Sequence, residues 1–154
     1  MKKVIIGSDH GAIELKTKVA DYLKSKGYDT DVRGPMSEES VDYPDIAKEC
    51  CNDFLKGGYD FGVLLCGTGI GISISANKVT GIRCGLIHDL FTAEMSKAHN
   101  NANFIAFGGR IDYQVPVEQM IQKFIDTKFE GGRHQRRVNK ISDLDLGSGK
   151  VGYC

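Results

Sequence analysis

Short apolar stretches alternate with longer amphipathic stretches along the whole chain. The short stretches are rich in β-branched residues and have the length of strands. They predict five strands, at Lys3–Gly7, Tyr28–Arg33, Phe61–Cys66, Ile82–Ile87 and Asn103–Phe107. A regular alternation of strands with amphipathic stretches is typical of βαβ units, in which successive strands lie parallel.

The amphipathic stretches carry the signals of helices. Leu15, Val19 and Leu23 recur every four residues, and Gly27 stands where a helix end favours a left-handed residue. Pro44 suits the first turn of a second helix. Three further helices are predicted at Ile72–Lys78, Leu90–His99 and Val115–Phe129. Helices must then cover both faces of a five-stranded parallel sheet, and we expect an α/β fold of the Rossmann-like, three-layer type.

The segment after Glu130 has a different character. A basic, helix-like stretch is followed by a glycine-rich end, and neither offers much apolar surface to its own sheet. We expect a C-terminal docking helix, with a flexible tail over residues 143–154. At 154 residues the chain has the length of one ordinary domain, and we expect residues 1–154 to form a single one.

Charge and cysteine content exclude several classes of protein. The 20 basic residues balance the 20 acidic ones, so no overall field attracts the chain to nucleic acid or to a membrane surface, and neither partner is expected. The N-terminal apolar run is too short for a signal peptide or a membrane span. The five cysteines form an odd set without a CxxC pair, which favours free thiols in the cytoplasm.

Reactive residues follow four of the predicted strands. Because ligands bind beyond the carboxyl ends of parallel strands, these positions form a candidate site. They are Ser8 to Gly11 after the first strand, Cys66 to Gly71 after the third, His88 and Asp89 after the fourth, and Gly108 to Arg110 after the fifth.

The segment from Cys66 to Gly71 is the sharpest of these signals. Its three glycines at alternate positions allow the backbone to approach a ligand and to aim several N–H groups at an anion. The same N–H groups would favour a thiolate at Cys66, which could act as a base or nucleophile, and Thr68 could add a hydroxyl hydrogen bond. A tight turn beside a buried, inert thiol is the alternative interpretation.

Motifs for common cofactors are absent from the sequence. A dinucleotide-binding GxGxxG pattern starting at Gly67 would need glycine where the chain has Ile72, and no GxxxxGK[ST] loop occurs. The four histidines lack metal-ligand spacing such as HExxH. We therefore expect neither a metal nor a cofactor.

Polar residues late in the chain form a second candidate group. His99, Asn100 and Asn101 make a polar cluster at a predicted helix end, which suits a ligand contact, although a structural role for His99 is also open. Arg133 and Arg137 are four apart on one helical face, where they could grip a phosphate or form a solvated basic surface. Tyr43 could offer a hydroxyl to the site or pack against the sheet edge.

Five segments taken together resemble one family. In chain order they are GSDHG, DYPD, CGTGIGISISANK, HNNANFIAFGGR and EGGRHQRRV. They are similar to the B-type ribose-5-phosphate isomerases, a family that also includes the galactose-6-phosphate isomerase subunits. The resemblance spans nearly the whole chain and implies a Rossmann-like homodimer or homotetramer with active sites at the interface between subunits.

The resemblance also implies roles for individual residues. Cys66 would be the base that moves a proton between C1 and C2, supported by Thr68, and His99 would open the furanose ring. One branch of the family has a glutamate where this chain has Ser75, so the base expected here is Cys66. Phosphate would be bound by His10 and by the two arginines of the last helix. The full set of substrate-binding residues would be Asp9, His10, Tyr43, Gly67, Gly69, Ile70, Gly71, Asn100, Arg110, Arg133 and Arg137.

The activity that the resemblance implies is the interconversion of D-ribose 5-phosphate and D-ribulose 5-phosphate. Ring opening and proton transfer through a cis-enediolate need only a base, a proton donor and an oxyanion cradle, and no cofactor. Two alternatives stay open: an isomerase of hexose 6-phosphates such as allose or galactose 6-phosphate, and a sugar-phosphate sensor without catalysis. A nicotinamide- or flavin-binding module is disfavoured by Ile72.

Overall fold

The computed structural model describes residues 1–147, which form alternating strands and helices. The strands are β1 (Lys3–Ser8), β2 (Asp29–Arg33), β3 (Phe61–Cys66), β4 (Cys84–Leu86) and β5 (Phe104–Gly108). The helices are α1 (Ile13–Ser25), α2 (Tyr43–Leu55), α3 (Ile70–Asn77), α4 (Leu90–Ala98), α5 (Val117–Asp126) and α6 (Arg133–Gly147). A short 3-10 turn at His10–Ala12 joins β1 to α1. Within the described residues, no helix is both long and apolar enough to cross a membrane.

The five strands form one parallel sheet in the order β2-β1-β3-β5-β4. From β1 the chain first moves outward to β2, and then returns to build β3 on the other side of β1. The connection that leaves the carboxyl end of β1 therefore runs to one side of the sheet, toward β2, and the connection that leaves β3 runs to the other side, toward β4. Such a switch point leaves a crevice between the two strand ends, and ligands of open α/β sheets bind there.

Two apolar layers cover the two faces of the sheet. Val19, Ala93 and Ile121, from α1, α4 and α5, lie in one layer, and Ala47 and Ile72, from α2 and α3, lie in the other. The central strands feed both layers with alternate side chains, and β3 and β5 are buried along their whole length. The expected α/β fold with three layers and helices on both faces is confirmed.

Several element ends differ from the sequence-based boundaries for local reasons. Helix α5 begins at Val117 and not at Val115, because a residue before proline, here Pro116, avoids the helical conformation. Helix α3 begins two residues early, at Ile70, where the Thr68 hydroxyl accepts the first helical N–H at 3.2 Å. The edge strand β4 is short because the N–H of Arg83 donates to the side chain of Asn103 and not to a neighbouring strand.

Helix α6 lies beside the β4 edge of the sheet. Its Val138 is buried, and a carboxylate oxygen of Asp145 accepts the N–H of Gly81 at 3.0 Å. Ile141 and Leu144 remain exposed, the latter by 72%. The helix continues through Gly147, so residues 143–147 are helical although a tail was expected from residue 143. The rest of the expected tail, with Cys154, lies outside the described residues.

Gly62 leaves room for an aromatic ring between two central strands. It pairs with Phe104 in the register of β3 and β5, and a Cβ atom on Gly62 would lie 2.0 Å from Cε1 of that ring. The ring packs edge-on against Phe54 of α2, with centroids 5.0 Å apart. The glycine thus lets one aromatic side chain fill space above two strands.

We expect Gly62→Ala to lower the free energy of unfolding by about 1–3 kcal/mol, because the added methyl group overpacks this position. Phe104→Leu in the same background should recover part of the loss, since the clash is with the ring. Urea unfolding at one fixed protein concentration measures both variants. If the two substitutions proved simply additive, the ring clash would not be the cause.

Candidate functional site

The loop after β3 wraps around the thiol of Cys66. Gly69 has φ +79°, and a Cβ atom there would lie 2.8 Å from the carbonyl carbon of Phe107, so only glycine fits this turn. The turn lets the N–H of Gly69 donate to Sγ of Cys66 at 3.1 Å. Cys66 is only 4% exposed. A backbone donor aimed at sulfur in a confined place stabilises negative charge on that sulfur.

The first turn of α3 continues the same wall. Thr68 is exposed, and its hydroxyl oxygen accepts the N–H of Ile70, the first residue of α3. Free N–H groups at the start of a helix favour an anion in front of them. The ring of Tyr43 covers Gly71, where a Cβ atom would lie 2.6 Å from Cζ. Tyr43 therefore lies beside the glycine loop, and its side chain remains partly open to solvent.

The loop after β1 lies against the loop after β3. A Cβ atom on Gly11 would lie 2.9 Å from the backbone nitrogen of Gly67. Asp9 is buried, and its carboxylate accepts the N–H of Gly11 at 2.8 Å. Nδ1 of His10 accepts the N–H of Val41 at 3.2 Å, so a neutral His10 carries its proton on Nε2.

Arg110, after β5, completes this group. Its N–H donates to the carbonyl of Gly67 at 2.9 Å, and the N–H of Gly109 donates to the carbonyl of Cys66 at 2.8 Å. The guanidinium lies over Gly67, and a cavity of about 450 Å³ opens between Arg110 and His10. We call this group the strand-end site; it consists of Asp9, His10, Tyr43, Cys66, Gly67, Thr68, Gly69, Ile70, Gly71 and Arg110.

Lys16 binds the backbone of the segment that follows β2, near the strand-end site, and was missed by sequence reasoning. It is 1% exposed, and its Nζ donates to the carbonyls of Pro35 at 2.5 Å and Arg33 at 3.3 Å. Burial lowers the pKa of this amine. The bonds hold the segment that leads to Val41 and so to His10. A signal was present, since Lys16 lies on the same helical stripe as Val19.

A second group surrounds His99 at the C-terminal end of α4. The imidazole of His99 stacks on that of His134, from α6, with centroids 4.0 Å apart and planes 9° apart. Oε2 of Glu130 lies 3.2 Å from Nε2 of His134 and 3.8 Å from Nε2 of His99. The pKa of His134 is lowered, chiefly by burial and then by the nearby charges of His99 and Arg133. Sequence reasoning found His99 but gave no role to Glu130 or His134, whose spacing of four residues was the available signal.

The turn after His99 is held rigidly. The guanidinium of Arg83 donates to the carbonyl of Asn100 at 3.1 Å and to that of Asn101 at 2.8 Å. Asn101 has φ +43°, a left-handed conformation that these bonds stabilise. The side chain of Asn100 is left exposed.

Arg133 and Arg137 lie next to His134 on α6. Both are exposed, and within residues 1–147 neither forms an ion pair. Two uncompensated guanidinium groups on one helical face suit a phosphate. We call this second group the histidine cluster; it consists of His99, Asn100, Glu130, Arg133, His134 and Arg137.

The two groups lie at opposite ends of the parallel strands. The strand-end site follows the carboxyl ends of β1, β3 and β5, whereas α4 runs back from β4 and brings His99 to the amino end of β5. The backbone N–H of Asn103, just before β5, donates to the carbonyl of Arg83, just before β4. The five residues of β5 lie between the two groups, and at the rise of a strand they span roughly 15 Å. Cys66 and His99 of one chain therefore cannot touch the same small sugar.

His99, Glu130 and His134 also have the composition of a metal site, with one ligand atom each and all three atoms within 4.8 Å of one another. A histidine binds a metal in the plane of its ring. Because the two rings lie parallel and face to face, their in-plane directions run side by side and do not meet at one point. The arrangement does not fit an ion shared by both rings, and the expected absence of a metal stays a prediction.

Comparison with known proteins assigns the chain to a family. Residues 4–141 match the family model for Ribose/Galactose Isomerase. Ribose-5-phosphate isomerase B of Escherichia coli is 37% identical over 145 residues, which are 94% of this chain and 97% of the relative. D-erythrulose-4-phosphate isomerase of Pectobacterium atrosepticum is 40% identical over 142 residues, which are 92% and 93% of the two chains.

A solved structure gives the same assignment. The ribose-5-phosphate isomerase B of Clostridium thermocellum is 41% identical and superimposes with a TM-score of 0.91, over 94% of this chain and 98% of that one. Identity at this level over nearly complete chains extends beyond fold similarity. The chain therefore belongs to the ribose/galactose isomerase family and is a sugar phosphate isomerase.

Proposed function

We propose that the chain interconverts D-ribose 5-phosphate and D-ribulose 5-phosphate, with no cofactor. The observation that carries the proposal is the N–H of Gly69 donating to Sγ of Cys66 beside the switch-point crevice. This is a thiol equipped to act as a base, at the edge of the sheet where ligands bind. The choice of a pentose is supported by the named activity of the relatives from E. coli and C. thermocellum.

In the proposed reaction, the thiolate of Cys66 removes the proton from C2 of the open-chain aldose. The electron pair forms the C1–C2 double bond, and the former carbonyl oxygen O1 becomes an enediolate oxygen in front of the N–H groups of Gly67 to Gly71. The proton on sulfur then returns to C1, the hydroxyl proton of O2 moves to O1, and the carbonyl forms at C2. Base and oxyanion donors must act together, since each supplies about 10²–10⁴-fold.

Ring opening precedes this step. A protonated His99 gives its proton to the ring oxygen while the bond between that oxygen and C1 breaks. Asp9 accepts the proton of the C1 hydroxyl, whose oxygen becomes the carbonyl. Asp9 is suited to this task because one carboxylate oxygen is fixed by Gly11 while the side chain lies at the crevice. Phosphate is held by Nε2–H of His10 and by Arg133 and Arg137, with Asn100, Tyr43 and Arg110 closing the pocket.

A second copy of the chain must complete each site, because the histidine cluster and the strand-end site of one copy lie at opposite ends of the parallel strands. We propose a homodimer in which each copy brings its histidine cluster to the strand-end site of the other, as a two-fold axis requires. Exposed apolar residues are available beside both groups: Ile74 on α3 is 56% exposed, and Leu144 is exposed on α6. A tetramer would be a pair of such dimers.

Other substrates and a non-catalytic role are the alternatives. The family model includes galactose isomerases, and the relative from P. atrosepticum acts on a tetrose phosphate, so hexose 6-phosphates such as allose or galactose 6-phosphate are the second candidate. A sensor of sugar phosphates would need the arginines but not a thiol that accepts a backbone N–H. We also propose that the protein acts in the cytoplasm, because its four described cysteines are free thiols.

Cys66→Ala should lower kcat for ribose 5-phosphate by at least about 10³-fold while substrate binding changes little, since the base is lost and the phosphate contacts remain. Cys51→Ala is the matched control, because burial raises the pKa of this thiol to about 12 and keeps it protonated. Coupled kinetic assays and calorimetry measure the two effects. Undiminished turnover by Cys66→Ala would exclude the proposed base.

Arg137→Ala should raise KM for ribose 5-phosphate about 10- to 100-fold, as expected for a lost charge-assisted hydrogen bond, with little effect on free ribose. Arg136→Ala removes the same charge from an adjacent exposed position and should change KM by less than about threefold. Equal effects of the two substitutions would mean that only general charge matters.

Mixing the two inactive variants Cys66→Ala and His99→Ala should restore activity. In a mixed dimer one site combines the intact Cys66 of one copy with the intact His99 of the other, and the second site lacks both. Random reassortment gives half mixed dimers, so about one quarter of the wild-type activity is expected. No recovery after confirmed subunit exchange would show that each site is built from one chain.

A further inference from the structure

His99 is surrounded by two side chains that have no part in the reaction proposed above. We propose that His134 and Glu130 are positioning residues for His99: the His134 ring is a flat support that sets the orientation of the His99 ring, and the Glu130 carboxylate favours the proton on it. The inference rests on the proposed role of His99 as a proton donor, and it extends that role to two residues outside the expected site.

The support is rigid where the supported ring is not. His99 directly follows the last residue of α4, and its side chain is 36% exposed, so little besides a neighbouring ring restricts rotation of its imidazole. The side chain of His134 is only 5% exposed, its backbone N–H donates to the carbonyl of Gly131 at 3.0 Å, and buried Val138 lies one turn further along α6. With centroids 4.0 Å apart and planes only 9° apart, the buried ring sets the plane of the exposed one.

Charge explains how two histidines can stack during proton transfer. Both rings protonated would repel each other, but burial, His99 and Arg133 lower the pKa of His134 by more than the nearby Glu130 raises it. The lowered pKa favours the neutral form of the His134 ring. It can support His99 before and after the proton leaves, without adding a second positive charge.

Glu130 supplies the opposite charge from a fixed position. Its backbone N–H donates to the carbonyl of Ala98 at 3.0 Å, which ties the residue to the end of α4. Its carboxylate is near Nε2 of His134, but within the described residues that nitrogen has no hydrogen-bond partner. The same carboxylate oxygen lies 3.8 Å from Nε2 of His99, where its negative charge attracts the proton of a protonated His99 ring.

Position is tested with His134→Ala and His134→Phe, assayed with ribose 5-phosphate. His134→Ala removes the support and should lower kcat about 10- to 100-fold with KM changed less than about threefold, since a misplaced proton donor costs rate and not binding. His134→Phe keeps a flat ring and should retain kcat within about threefold. A kcat for folded His134→Ala equal to that of wild type, or an equal loss in His134→Phe, would overturn the support role.

Charge is tested with Glu130→Gln, an exposed substitution that should leave the fold intact. The basic limb of the pH–rate profile, where His99 loses its proton, should move to lower pH, because a neighbouring carboxylate favours a protonated imidazole. Glu94→Gln is the matched control: Glu94 lies on α4 but pairs with Lys123 at 2.9 Å, and its loss should leave the limb unmoved. An unmoved limb in Glu130→Gln would overturn the carboxylate role.

A readout without substrate separates this inference from the proposed function. Nuclear magnetic resonance titration of the His99 ring should show a lower midpoint in Glu130→Gln than in wild type, and the same midpoint in Glu94→Gln. If wild type does not isomerise ribose 5-phosphate but the midpoint moves, the proposed substrate is wrong and the charge role of Glu130 stands. If wild type is active and neither the midpoint nor the pH–rate limb moves, the proposed function stands and this inference fails.

Discussion

Close contact between three backbone loops at the carboxyl edge of the sheet is the constraint on which the strand-end site depends. Added Cβ atoms on Gly109 and Gly108 would lie 2.7 Å from the carbonyl oxygen of Gly11 and 2.6 Å from the carbonyl carbon of Thr68. The loops can therefore hydrogen-bond directly to one another, without side chains between them. This packing orients the N–H groups around Cys66 before any ligand arrives, which is the condition for effective stabilisation of an oxyanion.

Most of the fold, and the strand-end site among the two candidate groups, could be predicted because their signals are local. Alternating strands and helices, and glycines at alternate positions after Cys66, are visible within a few residues. The opposite placement of His99 could also have been derived, since a helix that follows a parallel strand returns to the edge where the next strand begins. In the proposed dimer a second copy brings the two groups together, and the sequence offers no local signal for the surface that it would use.

Contacts between distant segments could not be predicted in the same way. Arg83 holds the Asn100–Asn101 turn from 17 and 18 residues away. The stack of His99 on His134 depends on the position of α6 beside the sheet, which no pattern within α4 indicates. The early start of α3 is different, because the bond between the Thr68 hydroxyl and the N–H of Ile70 is a local signal that periodicity alone does not show.

The buried amine of Lys16 makes the segment behind His10 observable in solution. An acylating reagent reaches this lysine only when Pro35 and Arg33 release it, so its labelling follows the opening of that segment and not the ordinary reactivity of a surface lysine. The rate at which this one amine becomes labelled would thus report how often the segment that begins at Arg33 and Pro35 moves away from α1. A ligand that slows the labelling without touching Lys16 would do so by keeping that segment in its closed position.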